Sequence, residues 1–138
     1  MSDCIFCRIV AKEIPATVIY EDDDVLAFMD IGPIIKGHAL VVSKTHYDPV
    51  TETPDDILAK LHIAAKRIAT AQMNALGADG VNIMQNNGAA SGQEVPHIHV
   101  HVIPRFDGDG HHWNWNAKKY DDFDEMAGLA DKLRKHLQ

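Results

Sequence analysis

Three histidines alternate with branched apolar residues inside the chain, where residues 97–102 read His-Ile-His-Val-His-Val. Alternate side chains of a β-strand point to the same face, so these imidazoles would share one face at a spacing of roughly 6.5–7 Å. The apolar residues between them would face the core. A solvated strand face would also contain Lys, Glu and Thr, so the pattern indicates a chemical role for His97, His99 and His101, here called the histidine row.

Alternating histidines can support two kinds of chemistry. They can ligate Zn²⁺ and leave one position open for water, as metal-assisted hydrolysis requires. Alternatively, one neutral imidazole can act as a nucleophile while its neighbours handle protons. The spacing by itself leaves both chemistries open.

The loop before the histidine row carries groups that suit phosphate oxygens. It supplies backbone N–H groups, side-chain amides and a hydroxyl, all of which donate to anions. Gly92 also allows the backbone to come close to a ligand. Next to the histidines, this loop favours phosphoryl chemistry. The residues considered are Asn86, Asn87, Gly88, Ser91, Gly92 and Gln93.

Cys4 and Cys7 form a C-x-x-C pair, and they are the 2 cysteines of the chain. Two cysteines cannot build a disulfide framework, so the spacing indicates redox or metal chemistry in a reducing compartment. A zinc site would need two histidines from elsewhere in the chain. A redox pair, half of a metal site and two buried thiols all remain possible from the spacing alone.

These residues need a scaffold, and hydrophobic spacing predicts an α+β fold for it. Short connections between consecutive strands favour an antiparallel sheet with the helices on one side. The predicted elements are a short helix capped by Asp3, strands at 17–20, 25–29, 38–43, 80–85 and 95–103, a long helix from an N-cap at Thr53 to Gly77, and a last helix from Asp122 with Glu125 completing a capping box.

Composition restricts the partners of the chain. Its 138 residues suffice for one domain, and 20 acidic against 13 basic residues give a net charge of −7. That charge argues against nucleic acid as the main partner, but it permits a small anion held by backbone amides. No apolar run approaches the ~20 residues of a membrane span, and the N-terminus lacks the features of a secretory signal. We therefore expect a cytoplasmic protein without nucleic-acid or membrane partners.

The loop and the histidine row together resemble the signature of the histidine-triad (HIT) superfamily of nucleotide hydrolases and transferases. Residues 14–16, 20–22, 27–31 and 37–46 also resemble the Hint-like branch, in the expected order. The similarity covers about residues 4–106, whereas the tail at 107–138 matches bacterial-type members only loosely.

The resemblance implies the HIT fold in a single domain of residues 1–138. That fold has a five-stranded antiparallel sheet with one long central helix, a short N-terminal helix and a C-terminal helix. HIT proteins of this size commonly form homodimers, and a two-fold dimer is also the commonest oligomer in general. Whether the segment with Trp113 and Trp115 covers the partner's cleft stays open.

The resemblance also implies a covalent mechanism. His99 would attack the α-phosphorus of a bound nucleotide, and water would then release the nucleoside monophosphate. His101 would hydrogen-bond the phosphate or leaving group, His38 would support it, and Gln93 aligns with a phosphate or leaving-group contact. Glu94 stands where the Hint branch usually has serine, which leaves the source of the leaving group's proton open.

A nucleotide pocket follows from the same resemblance. Asp30 matches the carboxylate that grips both ribose hydroxyls, which would select ribonucleotides. Asn86 matches a residue near the phosphate and ribose, and Gly92 belongs to the phosphate loop. The purine slot is matched by an apolar set: Phe6, Ile9, Ile14, Phe28 and Ile31.

Some bacterial members that resemble this chain bind zinc through a C-x-x-C pair, a later histidine and the first triad histidine. The matching positions here are Cys4, Cys7, His46 and His97. Such a site would be structural, and no metal would be required for catalysis.

The sequence therefore predicts a nucleotide hydrolase acting on the α-phosphate of purine nucleoside phosphoramidates or dinucleoside polyphosphates. Two alternatives stay open: a nucleotide-binding regulatory protein with incidental catalysis, and a zinc-dependent phosphohydrolase that uses the histidine row as ligands. The full catalytic set favours the hydrolase, since binding alone does not require it. The leaving group and the choice between adenine and guanine are not determined at this level.

Overall fold

Branched apolar residues recur in five short segments, and each of these segments is a strand. The strands are β1 (Val18–Glu21), β2 (Val25–Met29), β3 (Ala39–Ser43), β4 (Gly80–Met84) and β5 (His99–Arg105). The computed structural model, which describes residues 3–137, joins them in the order β1-β2-β3-β5-β4. Every neighbouring pair is antiparallel, which confirms the predicted five-stranded sheet.

A long helix, α2 (Asp55–Leu76), covers one face of this sheet. Its buried residues Ile57, Leu61 and Ile68 recur at helical spacing and pack against residues of β5 such as Val100 in the main core. The apolar residues that alternate with the histidine row therefore face α2, and the row faces away from it.

The two ends of α2 test the predicted stop and start signals. The stop is confirmed, because Gly77 has a φ of 71° in the left-handed region that glycine adopts without strain. The predicted N-cap at Thr53 is wrong by one residue. Pro54 is the N-cap residue, and the Thr53 hydroxyl donates instead to the Pro49 carbonyl oxygen at 3.0 Å.

The short helix α1 (Ile5–Val10) lies on the opposite face of the sheet, so the prediction that all helices share one side is wrong. Nearly all residues of β2 and β3 are buried, including those on the sheet face opposite α2. That second face must therefore be covered by another apolar part of the chain. Phe6 supplies that cover over Leu40 and Val42. The N-cap is Cys4 rather than Asp3, since the Cys4 sulfur accepts a hydrogen bond from the Cys7 amide.

Strand β5 begins at His99, four residues later than predicted. The preceding residues turn instead: the His97 amide donates to the Val95 carbonyl oxygen at 2.9 Å, and the Ile98 amide donates to Tyr47. Pro96 has no amide hydrogen to give to a ladder. The first histidine of the row thus lies just outside the strand that holds the other two.

The last helix, α3 (Phe123–His136), begins as predicted at Asp122, whose carboxylate accepts from the Glu125 amide at 2.8 Å. The predicted capping box is displaced by one residue, because the Glu125 carboxylate accepts from the Asp121 amide. All residues of α3 except Ala130 are exposed. Within residues 3–137, no helix is long and apolar enough to cross a membrane.

Candidate functional site

A cleft of about 440 Å³ opens on the sheet face opposite α2, between α1, the ends of the strands and the loop at 86–95. Eight predicted site residues line this cleft: His38, His99, His101, Gln93, Asp30, Asn86, Gly92 and Phe6. The structure therefore brings together residues from five separate stretches of the chain.

Four apolar residues predicted for the purine slot do not line this cleft. Ile9 and Ile14 line a separate depression beside β1. Phe28 is buried behind Phe6, with ring centroids 5.8 Å apart. Ile31 is fully exposed in the loop after β2, at 101% of its reference area. An apolar residue type therefore does not predict which pocket its side chain will line.

The His99 ring is held in one tautomer by the main chain. Its Nδ1 lies 2.7 Å from the His97 carbonyl oxygen, which can only accept a hydrogen bond. Nδ1 must therefore carry the proton of the neutral ring. Nε2 is left with its lone pair, which is the form that a nucleophilic imidazole needs.

A second chain of hydrogen bonds fixes His38 and His101. The Ile34 amide donates to His38 Nδ1 at 3.1 Å, so the proton of His38 is on Nε2. That Nε2–H donates to His101 Nδ1 at 2.9 Å, which places the proton of His101 on its Nε2. The rings of His99 and His101 stand 5.0 Å apart, centroid to centroid. A lone pair and an N–H donor therefore stand side by side.

Burial keeps these imidazoles neutral. It lowers the pKa of His101 to about 4, with smaller contributions from His99 and His38. Burial also lowers the pKa of His38 and of His99. The Asp30 carboxylate, with Oδ2 3.6 Å from His38 Nε2, opposes that lowering at His38. The tautomers that the hydrogen bonds require are thus the forms present near neutral pH.

The phosphate loop uses part of its polar groups to hold itself together. The Gln93 side chain accepts from the Gly88 amide and donates to Asp48 at 2.7 Å and to the Val95 carbonyl oxygen. Its amide is therefore engaged with the protein, and its leaving-group contact stays a prediction. Gly92, with a φ of 98°, keeps the left-handed turn that lies beside Asn86.

Two further loop residues that were expected to offer donors to phosphate have structural partners. Asn87 accepts from the Val50 amide and donates to Gln85. The Ser91 hydroxyl donates to the Gly88 carbonyl oxygen at 2.7 Å. Neither residue lines the cleft.

The site also depends on groups that sequence reasoning missed. Two of them are main-chain groups: the Ile34 amide, which donates to His38, and the Ser43 carbonyl oxygen, which accepts from His97. Every residue type has such groups, so the sequence does not reveal them. Asp48 holds Gln93, and its negative charge acts on His99 in the direction that raises the pKa. Its place before Pro49 gave no indication of this role.

Cys4, Cys7, His46 and His97, the predicted zinc ligands, form one cluster of donor atoms that all lie within 4.8 Å of one another. This cluster is called the donor set below. Cys4 Sγ and His97 Nδ1 are 3.3 Å apart, as are Cys7 Sγ and His46 Nδ1. Zn–S and Zn–N bonds in a tetrahedral site would separate such atoms by about 3.6 Å. Both cysteines are free thiols.

The orientation of His97 fits a metal ligand as well. Its Nε2 lies 2.7 Å from the Ser43 carbonyl oxygen and must carry the ring proton. Nδ1 is then unprotonated and faces the two sulfurs, which is how ligating histidines are usually held. Two thiols and two imidazoles match a closed structural zinc site. The donor set could therefore hold a metal.

The geometry gives no support to a single metal bound by the whole histidine row. Among the described residues, the second cluster of potential ligands consists of Asp30, His38 and His101. His97 and His101 thus belong to different clusters. His99 Nδ1 is already hydrogen-bonded to main chain.

Comparison with known proteins identifies the family. A model of the HIT domain matches residues 11–108, a stretch that includes His38, Asp30 and the histidine row. The chain belongs to the HIT family. The fold, confirmed above from the strands upward, is the HIT fold predicted from the sequence.

Curated HIT relatives match nearly the whole chain. An uncharacterised HIT-like protein of Methanocaldococcus jannaschii is 50% identical over 123 residues, 89% of this chain and 95% of the relative. Adenosine 5′-monophosphoramidase HNT1 of Saccharomyces cerevisiae is 38% identical over 98% of this chain and 83% of its own length. Adenylylsulfatase HINT3 of Arabidopsis thaliana is 41% identical over 99% of this chain and 70% of its own length.

Solved HIT structures share the fold. The crystal structure of SMU.412c from Streptococcus mutans superposes with a TM-score of 0.92 at 41% identity, and the match covers 100% of this chain and 87% of that one. A zinc-bound histidine-triad protein from Mycobacterium smegmatis superposes with a TM-score of 0.78 at 37% identity, covering 99% of each chain. The named enzymes among the relatives support a nucleotide hydrolase activity for this HIT protein.

Proposed function

We propose that this HIT protein hydrolyses purine nucleoside phosphoramidates or dinucleoside polyphosphates at the α-phosphate, through a covalent nucleotidyl-His99. The observation that carries the proposal is the pair of fixed tautomers. His99 offers a lone pair on Nε2, and His101 beside it offers an Nε2–H donor.

The reaction would have two displacements at phosphorus. In the first, the lone pair of His99 Nε2 forms a bond to the α-phosphorus, and the bond to the leaving group breaks with its electron pair on the leaving group, which takes up a proton. In the second, a water oxygen bonds to phosphorus and loses a proton, and the bond to His99 breaks. The hydrogen bond from His99 Nδ1–H to the His97 carbonyl oxygen would stabilise the positive charge that develops on the ring.

His101 would act on the phosphate side of this reaction. Its Nε2–H would donate to a phosphate oxygen or the leaving group, and His38 would hold it in that tautomer. Because the pKa of His101 is lowered to about 4, the ring would serve as a neutral donor rather than as a cation.

The nucleotide would be held by residues that line the cleft. One carboxylate oxygen of Asp30 accepts a hydrogen bond from the Gly32 amide at 2.8 Å. The other oxygen would accept hydrogen bonds from the ribose hydroxyls. Asn86 and Gly92 would lie near the phosphate, and Phe6 would form the wall of the purine slot. Of the apolar set, only Phe6 is kept in this proposal, because it alone lines the cleft.

The charge around the cleft favours a phosphoramidate over a polyphosphate. Among the described residues that line the cleft or the adjoining hollow at Asp48, there is no Lys or Arg. Asp3, Asp48 and Glu94 line that hollow instead, and Glu94 also borders the cleft. An anionic leaving group would face these carboxylates without a counter-charge, whereas an amine would not. The phosphoramidase among the relatives is consistent with this preference.

The donor set is proposed to bind a structural Zn²⁺, and catalysis is proposed to require no metal. The donor chemistry and the orientation of His97 support zinc, as does the zinc-bound relative of known structure. The free thiols of Cys4 and Cys7 that such a site needs favour a reducing compartment such as the cytoplasm.

Residues 1–138 are proposed to form one domain that pairs as a homodimer, with a core at about 4–106 and a tail at 107–138. Helix α3 supports the pairing: Leu129 and Leu133 in the helix and Leu137 just after it are exposed, and an isolated helix of 14 residues is marginal in water. Light scattering on the full chain would give the mass of a dimer, and the mass of a monomer at micromolar concentration would contradict this.

The proposed activity is tested by hydrolysis of adenosine 5′-phosphoramidate and diadenosine tetraphosphate side by side, with and without a chelator. We expect the phosphoramidate to turn over faster, and brief chelation to leave turnover in place while the fold is intact by circular dichroism. The His99→Ala variant should be inactive. Turnover that stops at once on chelation would favour the zinc-dependent phosphohydrolase. Nucleotide binding without turnover of either substrate would favour the regulatory protein.

A further inference from the structure

His97 belongs to both sites at once. Its ring contributes Nδ1 to the donor set, 3.3 Å from the Cys4 sulfur and 3.6 Å from the Cys7 sulfur. Its carbonyl oxygen accepts the Nδ1–H of His99 at 2.7 Å. One residue therefore links the atoms that could hold a metal to the atom that fixes the tautomer of the nucleophile.

The carbonyl group of His97 lies outside the ladder of the sheet, and its peptide unit is held by the Ile98 amide, which donates to the carbonyl oxygen of Tyr47, the residue after His46. The pairing of β5 with β3 begins at His99, opposite Val42, and His97 sits in the turn just before it. Its ring is fixed on one side by the Ser43 carbonyl oxygen. On the other side, among residues 3–137, the hydrogen-bond partners of its Nδ1 are the two cysteine sulfurs.

Helix α1 makes a second link between the two sites. Phe6 stands between the two cysteines in sequence, and its ring meets His99 edge to face with centroids 5.0 Å apart and His97 with centroids 5.7 Å apart. A helix of six residues has no independent stability. Its position depends on the packing of Phe6, Ile9 and Val10 against the sheet and on the groups that contact Cys4 and Cys7.

We propose that the donor set, when it holds a metal, positions the nucleophile of the reaction. By fixing His97 and α1, it would hold the His99 ring in the orientation and tautomer in which Nε2 faces the cleft. His97 and Phe6 are then positioning residues, and the metal takes no part in the chemistry. This inference rests on the proposed function for the role of His99 and on the proposed metal for the donor set.

Variants of His46 test the inference without touching the cleft. His46 is a member of the donor set and lines the adjoining hollow at Asp48, but it does not line the cleft that contains His99. His46→Ala removes one ligand, and His46→Cys replaces it by another zinc ligand in a Cys₃His set. His62→Ala is the matched control, since His62 is exposed on α2. Each variant is prepared with zinc and compared with the zinc-loaded wild type.

Three readouts are needed for each protein. The first is bound zinc per chain. The second is kcat and KM for adenosine 5′-phosphoramidate. The third is the imidazole ¹H–¹⁵N spectrum, in which a single Nδ1–H tautomer of His99 gives a resonance protected from exchange. That resonance is assigned by its absence from His99→Ala, and it reports positioning independently of turnover.

For His46→Ala we expect zinc to be lost, kcat to fall about 10- to 100-fold and KM to change less than about threefold, as for other losses of support around a ligand. The protected Nδ1–H resonance should disappear with the zinc. His46→Cys should restore the zinc, the resonance and most of kcat. His62→Ala should match the wild type in all three readouts.

Two outcomes would overturn the inference. In the first, His46→Ala loses its zinc but keeps both kcat and the Nδ1–H resonance. In the second, loss of zinc unfolds the whole chain by circular dichroism, which would make the metal a requirement for folding rather than for positioning. If the zinc-loaded wild type hydrolyses no nucleotide, the proposed function fails, and the resonance alone still decides whether the metal positions His99.

Discussion

The two ends of the histidine row are chemically alike in sequence and unlike in the structure. His97 and His101 share one face, and burial lowers the pKa of each to about 4. His97 nevertheless meets the sulfurs of Cys4 and Cys7, whereas His101 borders an open cleft beside His38. Residue type therefore does not explain the difference between them.

The partner of the second ring nitrogen explains it. At His97 the Nε2–H donates to a carbonyl oxygen, so Nδ1 is unprotonated and could bind a metal. At His101 an N–H of His38 occupies Nδ1, so Nε2 presents a proton to the cleft. His99, between them, has a carbonyl oxygen on Nδ1 and a lone pair on Nε2. The hydrogen-bond partners, which are main-chain oxygens or a fourth histidine, thus leave the three imidazoles with different ring nitrogens available.

The largest expected effect is at the middle of the row. His99→Ala should abolish turnover of adenosine 5′-phosphoramidate, because the proposed covalent intermediate forms on the ring of His99. Zinc content should stay at the wild-type value, since His99 is not a member of the donor set. Kinetics and metal analysis on the same sample check this. Measurable turnover in His99→Ala would contradict the proposal that His99 is the nucleophile.

At the other end of the row, beside His101, His38→Ala should reduce kcat by about 10²–10⁴-fold, the range for a lost acid–base or donor group. The variant removes the N–H of His38 that donates to His101 Nδ1 and so fixes the proton of His101 on Nε2. Bound zinc should again be unchanged. His62→Ala serves as the exposed control. A loss of zinc in His38→Ala would mean that the two ends of the row are not separable.

The pH dependence of stability should report the buried neutral state of His101. The unfolded chain takes up this proton near pH 6.5 and the folded chain near pH 4. Unfolding between these values is therefore coupled to proton uptake, and the free energy of unfolding should fall as pH falls, by at most about 1.4 kcal/mol per pH unit for this group. Urea unfolding at pH 6.5, 5.5 and 4.5 should give a shallower slope for His101→Asn than for the wild type. Equal slopes would show that His101 titrates alike in both states.

The smallest expected effect is that of Ser43→Ala, beside His97, the histidine of the row that belongs to the donor set. The Ser43 hydroxyl donates to the Thr45 carbonyl oxygen at 2.6 Å and lies 3.4 Å from His97 Nε2. Ser43→Ala keeps the carbonyl oxygen that orients His97, so metal affinity should weaken by about tenfold or less. Competition with a zinc chelator measures this. A change in KM larger than the change in zinc affinity would contradict the division between the two ends.

Periodicity was sufficient to predict most of the fold. The strands, the stop of α2 at Gly77 and the start of α3 at Asp122 follow from local signals, because side-chain spacing and capping act over a few residues. The side on which α1 packs was not predictable in this way. It depends on which sheet face lacks a cover, and that is known only once β2 and β3 are paired.

The candidate site likewise contains residues that the sequence predicts and features that only the folded structure reveals. The histidines, Asp30 and the two cysteines could be named from residue types, spacing and resemblance, and the structure brings them to the cleft and the donor set. The apolar wall could not be named as well: Ile31 is exposed and Phe28 lies behind Phe6. The tautomers depend on carbonyl oxygens of Ser43 and His97, and every residue type has such an atom. Only the folded geometry assigns it a role.

The central claim is that His99 carries the nucleotidyl group, and trapping that intermediate tests it most directly. The zinc-loaded protein would be mixed with adenosine 5′-phosphoramidate for less than one turnover, quenched in alkali, which preserves phosphorus–nitrogen bonds to histidine, and digested for mass spectrometry. We predict an adenylyl group on the peptide that contains His99, and none in His99→Ala. Turnover at a normal rate with the adduct on another residue, or with no adduct at any time point, would contradict the account.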